Sequence, residues 1–151
     1  MTTGDENLNV AFTVRQRIER PVAEVFQAVV DPEKLCRFFT KTADGPPIAG
    51  RTVHWTWPDG DEADVRVLEL DENEKLVCSW KAYRVEEQTT WTMIFEPLDG
   101  GAARLTLTET GWRGDQHGLD SSYAHCHGWA HMLLCLKAYL EHGADLRTHR
   151  P

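Results

Sequence analysis

The sequence predicts an α+β fold: one antiparallel sheet of about six strands, two short helices after the first strand, and a single long C-terminal helix covering the sheet. Three observations lead there. Six stretches between residues 10 and 108 alternate apolar and polar side chains, the period of strands with one buried face. Val22, Val25, Phe26 and Val29 recur at helical spacing just after the first of these stretches. Residues 120–142 carry a long amphipathic pattern with no strand after it.

The elements follow in order. Residues 10–20 form the first strand, with Phe12, Val14 and Ile18 on one face and Thr13, Arg15 and Arg17 on the other. Pro21 suits a helix start, where its missing N–H costs nothing. Asp31-Pro32 breaks that helix, and Leu35, Phe38 and Phe39 fit a second short one. Residues 44–50, with Pro46-Pro47, are a loop. Val53, Trp55 and Trp57 share a face of the second strand, Val65 and Val67 of the third, Leu76, Cys78 and Trp80 of the fourth, Trp91, Met93 and Phe95 of the fifth, and Leu105 and Leu107 of the sixth. Pro58-Asp59-Gly60-Asp61, Asp71-Glu72-Asn73-Glu74 and Asp99-Gly100-Gly101 are the turns between them. Lys81, Arg84 and Arg104 read as exposed strand residues.

The chain has 151 residues, enough for one domain with a real core, expected over residues 10–143 with flexible tails at 1–9 and 144–151. No apolar run approaches the ~20 residues of a membrane span. The N-terminus lacks the basic-then-apolar plan of a signal peptide, so a cytoplasmic location is expected. Cys36, Cys78, Cys126 and Cys135 show no paired spacing and read as free thiols. A formal charge of -8 argues against nucleic acid or an anionic membrane as partner. Six tryptophans must line a core, a cavity or an interface.

Several segments, in order, carry a resemblance. They are Pro21-Val22-Ala23-Glu24-Val25-Phe26-Gln27-Ala28-Val29-Val30-Asp31-Pro32-Glu33, Ala49-Gly50-Arg51, Phe95-Glu96-Pro97, Leu105-Thr106-Leu107-Thr108-Glu109-Thr110-Gly111-Trp112 and Gly128-Trp129. Together they resemble the activator of Hsp90 ATPase domain family within the START-like (SRPBCC, helix-grip) superfamily, from Phe12 to Gly143. The resemblance implies a curved sheet wrapped around the C-terminal helix with a cavity between them. It implies no single chemistry, since relatives include lipid and hormone binders, polyketide cyclases, ligand sensors and chaperone-interacting domains. Where the family often has a Gly-Gly pair before the second strand, this chain has Ala49-Gly50.

A helical wheel places Ser122, His125, Cys126, Trp129, Met132, Leu133, Leu136 and Leu140 on the inward face of the last helix, and His127, His131, Ala138 and His142 opposite. Trp55, Trp57, Trp80, Trp91, Met93 and Phe95 come from the facing strands. Four polar residues share this apolar register: Gln16, Glu109, Ser122 and His125. An aromatic pocket with a few convergent polar groups has the make-up of a small-molecule site. The expected ligand contacts are therefore Gln16, Trp55, Trp57, Trp80, Trp91, Met93, Glu109, Ser122, His125, Trp129 and Leu133. In a plainer reading the tryptophans are core, and Glu109 and His125 are solvated or paired with each other near the cavity rim.

Other patterns carry less. His127 and His131 stand four apart, with Cys135 four further on, but the pair falls on the solvent face, so no metal is expected. Ser122, His125 and Glu109 can be drawn as a triad, yet no nucleophile-elbow glycines surround Ser122. The acidic turns lack calcium-loop spacing. No cofactor is expected. The reading adopted is non-enzymatic binding of a small apolar or aromatic molecule by a monomer or homodimer. The alternatives are docking on a chaperone ATPase and acid–base catalysis by His125 or Glu109 on a cyclising substrate.

Overall fold

The computed structural model describes residues 8–81 and 87–147. Seven antiparallel strands form one curved sheet: β1 (Ala11–Ile18), β2 (Thr42–Ala43), β3 (Thr52–Thr56), β4 (Glu62–Asp71), β5 (Lys75–Lys81), β6 (Gln88–Pro97) and β7 (Ala103–Thr110), in the order β1-β7-β6-β5-β4-β3-β2. The helices are α1 (Val22–Val30), α2 (Pro32–Leu35) and α3 (Gln116–His142), and α3 packs along β1.

The count of about six strands is corrected to seven. Strand β2 is two residues long, too short to show any alternation, and pairs Thr42 and Ala43 with Thr56 and Trp55 at the sheet edge. The second short helix stops at Leu35, and Phe38 and Phe39 lie in the turns that follow. One residue, Asp31, manages the join between α1 and α2. It ends α1 by donating its N–H to the Gln27 carbonyl, and its side chain then accepts from Glu33 N at 2.9 Å to cap α2, with Pro32 in the first turn.

Helix α3 is longer at its start than the alternation indicates. Asp115 caps it, accepting from Gly118 N at 2.9 Å, and Gly143 in the left-handed conformation ends it. Its 27 residues span roughly 40 Å. Ser122, His125, Trp129, Met132, Leu133 and Leu136 are buried as the wheel requires, Cys126 and Leu140 are half-buried, and Cys135 joins the buried set. Strand β4 carries a bulge between Val67 and Glu69 that leaves Leu68 exposed.

The main core lies between the inner sheet face, α1 and α3, built on Trp55, Trp91, Met93, Leu105, Leu107, Trp129 and Leu133, and Val10 and Trp112 form a small second cluster. Of the expected tails, residues 1–7 and 148–151 lie outside the described residues, as does Arg84. Arg147 ties the chain after α3 back to the body, donating to the carbonyls of Thr40 at 3.0 Å and Cys36 at 3.2 Å.

Two glycines of α3 contrast. A Cβ on Gly118 would lie 1.8 Å from the Arg113 carbonyl oxygen, so packing demands glycine there. A Cβ on Gly128 would meet nothing within 4 Å, although glycine inside a helix costs about 0.5–1 kcal/mol relative to alanine.

Candidate functional site

The site is organised by a buried carboxylate. Glu109 points inward from β7 and is 0% exposed. A carboxylate so placed must be saturated with donors, and its two oxygens offer about four lone-pair sites. Four donors meet it. Oε1 accepts from Trp129 Nε1 at 2.8 Å and from His125 Nδ1 at 3.1 Å. Oε2 accepts from Thr89 Oγ1 at 2.7 Å and from Trp80 Nε1 at 3.0 Å.

The pairing follows from secondary structure. His125 and Trp129 are four apart on α3 and so share a face. Trp80 and Thr89 are directly opposed across β5 and β6. One oxygen thus takes a helix pair and the other a cross-strand pair, so Glu109 ties three strands to the helix. The contact with Oε1 places the His125 proton on Nδ1, because a carboxylate can only accept. Trp112 and Trp80 hold the imidazole edge-on, with ring centroids 4.7 and 5.9 Å away.

Beside this node lies a cleft of about 230 Å³ between α3 and the β3–β4 hairpin. Phe39, Trp57, Trp80 and Trp129 are its aromatic walls, His125 and Ala63 contribute between them, and Ala124 and Gly128 line it from the helix. Asp59, Asp61, Glu62 and Lys81 supply its charged lining. Trp80 and Trp129 are stacked, with centroids 5.5 Å apart and planes 23° from parallel. Phe39 meets Trp57 and Trp129 at 5.5 and 5.7 Å.

Of the expected contacts, Trp57, Trp80, His125 and Trp129 line this cleft. Glu109 stands behind the wall and fixes three of those four side chains. Trp55, Trp91, Met93 and Leu133 are buried in the core outside the lining, and the Ser122 hydroxyl is spent on the Leu119 carbonyl at 2.7 Å. Gln16 is half-buried on β1 opposite Leu105, also outside the lining. Both parts of the plainer reading have a counterpart: Glu109 pairs with His125, but deep in the interior rather than at a rim. Thr89, a further buried polar residue, shares the inward register of Trp91 and Met93 on β6. Phe39 reads in the sequence as part of a short helix and Gly128 as part of the resemblance, and neither reads as a cleft residue, since alternation reports a face and not a gap in packing.

A second cleft of about 310 Å³ shares Phe39, Trp57, Asp59 and Gly128 with the first and continues past His131, Met132, Cys135 and Arg147. His131 Nε2 lies 3.4 Å from Cys135 Sγ, and burial pushes the Cys135 thiol up from its ordinary pKa, away from the thiolate a metal or nucleophile would need. Among the described residues no group of three or more His, Cys, Asp or Glu could hold a metal ion. No helix there is long and apolar enough to cross a membrane.

Comparison with known proteins adds the following. The family described as Activator of Hsp90 ATPase homolog 1-like protein matches residues 19–141. No curated protein matches the chain. A crystal structure of a protein from Staphylococcus saprophyticus superposes with TM-score 0.79 at 26% identity, covering 93% of this chain and 98% of that one. The Aha1 dimer from Colwellia psychrerythraea does so with TM-score 0.72 at 22% identity, over 90% of this chain and 99% of that one. DynU16, from the dynemicin biosynthetic locus, has TM-score 0.80 at 22% identity over 91% of this chain and 49% of that one. The last two likenesses speak to fold alone.

Proposed function

The chain belongs to the activator of Hsp90 ATPase homolog 1-like family and has the helix-grip fold; from that premise we propose that it binds a small apolar or aromatic molecule in the cleft between α3 and the β3–β4 hairpin. The observation that carries this reading is the cleft itself, walled by Phe39, Trp57, Trp80 and Trp129 beside a buried carboxylate that holds two of those indoles in place. Burying an aromatic ring against such walls is favourable in proportion to area and gains from ring–ring geometry. An apolar cavity of about 150 Å³ accepts benzene, so about 230 Å³ suits one or two rings.

Gly128 supports the same reading. It gives up helix stability at a place where no neighbour requires it, and it lines the cleft. Glu109 and His125 are read as structural: their contacts orient the wall and lend polarity to one end of the cleft.

The test is a tryptophan-fluorescence titration with a panel of one- and two-ring compounds. Three indoles line the cleft, so occupancy is expected to change the emission saturably. A panel-wide absence of response would overturn the binding reading. It would favour the interaction that the family's description names, docking on a chaperone ATPase, to be checked by direct binding to purified Hsp90.

A further inference from the structure

We infer that the cleft selects a positively charged ligand: a small aromatic or apolar molecule carrying a protonated or quaternary amine. This rests on the binding reading above and adds the chemical class.

Four observations converge. Asp59, Asp61 and Glu62 line the cleft with Lys81, so three carboxylates face one ammonium among the described lining residues. Asp59 uses Oδ1 for the turn, accepting from Asp61 N at 2.9 Å, and Glu62 uses Oε1 against His54 Nε2 at 2.9 Å. Among the described residues no group takes the second oxygen of either. The walls hold three tryptophans, the side chain that attracts a cation best.

The third tie is Glu109. Trp80 and Trp129 both line the cleft and both donate their N–H to this one carboxylate. A hydrogen bond from an indole to an anion pushes electron density into the ring and makes its faces more negative, which strengthens the pull on a cation. Finally, the formal charge of -8 raises the local concentration of cations over anions before contact. An anion would have to lose its water beside three carboxylates, and a neutral molecule gains nothing from them.

The experiment is calorimetric titration of the full chain with naphthylmethylamine, naphthylmethanol and naphthoate, which share a two-ring body and differ in charge. The amine is expected to bind about tenfold more tightly than the alcohol, with naphthoate the weakest; the rim carboxylates are solvated, so each adds modestly. In the Asp59→Asn, Asp61→Asn, Glu62→Gln triple variant the amine falls to within about threefold of the alcohol measured on the same variant. A control triple variant, Glu24→Gln, Glu72→Gln, Glu96→Gln, removes the same charge from residues that do not line the cleft and leaves the ratio intact.

Equal binding of amine and alcohol overturns the charge selection while the aromatic cleft stands. An equal narrowing in the control variant also overturns it, since the preference would then be long-range. If none of the three binds, the inference falls, and the binding reading falls with it only if the fluorescence panel is silent too.

Discussion

Glu109→Gln is expected to destabilise the protein by about 2–4 kcal/mol, a large share of the roughly 5–15 kcal/mol that holds a domain together. The reason is donor arithmetic. Glutamine keeps one acceptor oxygen and places an NH2 group where the other stood. Thr89 can turn its hydroxyl to accept, and His125 can change tautomer, but an indole can only donate. Whichever way the amide sits, Trp80 or Trp129 loses its acceptor inside the core. Glu109→Leu removes both oxygens and is expected to cost more. Thermal unfolding checks this: for a chain of this length about 3 kcal/mol corresponds to a melting temperature lower by roughly 10 °C. A Glu109→Gln variant as stable as the parent would mean that the four contacts do not hold the helix to the sheet.

The second large effect is on binding. Gly128→Ala is expected to stabilise the protein by about 0.5–1 kcal/mol, because it removes a helix-interior glycine and the new Cβ meets nothing within 4 Å. Gly128→Leu keeps most of that gain, but its longer side chain extends into space shared by the two clefts. It is expected to weaken any cleft ligand by at least about tenfold, the cost of closing space a ring would fill. The pair separates stability from function. A Leu variant that binds as the parent does would put the ligand elsewhere, and an Ala variant that is destabilised would mean that the glycine serves packing.

Much of the fold was legible because burial leaves a period. Phe12, Val14 and Ile18, or Trp91, Met93 and Phe95, mark an inward face whether or not the strand neighbours are known. Strand β2 was illegible because two residues cannot alternate. The start of α3 was obscured because residues 116–119 hold no apolar stripe; Asp115 as a cap was the available signal.

The site was legible only in part, for a related reason. Alternation marks Gln16 and Glu109 alike as polar groups on the inner face, but it does not say where along the sheet they fall. Gln16 sits on β1 at one end of the strand order, while the cleft opens beside β3, β4 and β5. Likewise the inward tryptophans could not be divided from sequence. Trp55 and Trp91 fill the core, and Trp57, Trp80 and Trp129 border open space. That division depends on how the hairpin at Asp59 and the helix at Gly128 stand apart, which is a property of packing and leaves no period.

The most direct test of the central claim, that this cleft is a ligand site, is a two-dimensional 1H–15N spectrum of the indole N–H groups during titration with a compound that passes the fluorescence screen. The six tryptophans supply six probes, three that line the cleft and three that do not. Saturable shifts of Trp57, Trp80 and Trp129, together with the Gly128 amide, are expected, with Trp55, Trp91 and Trp112 moving less because they lie outside the lining. Saturable binding that leaves those signals in place and moves others instead would contradict the account.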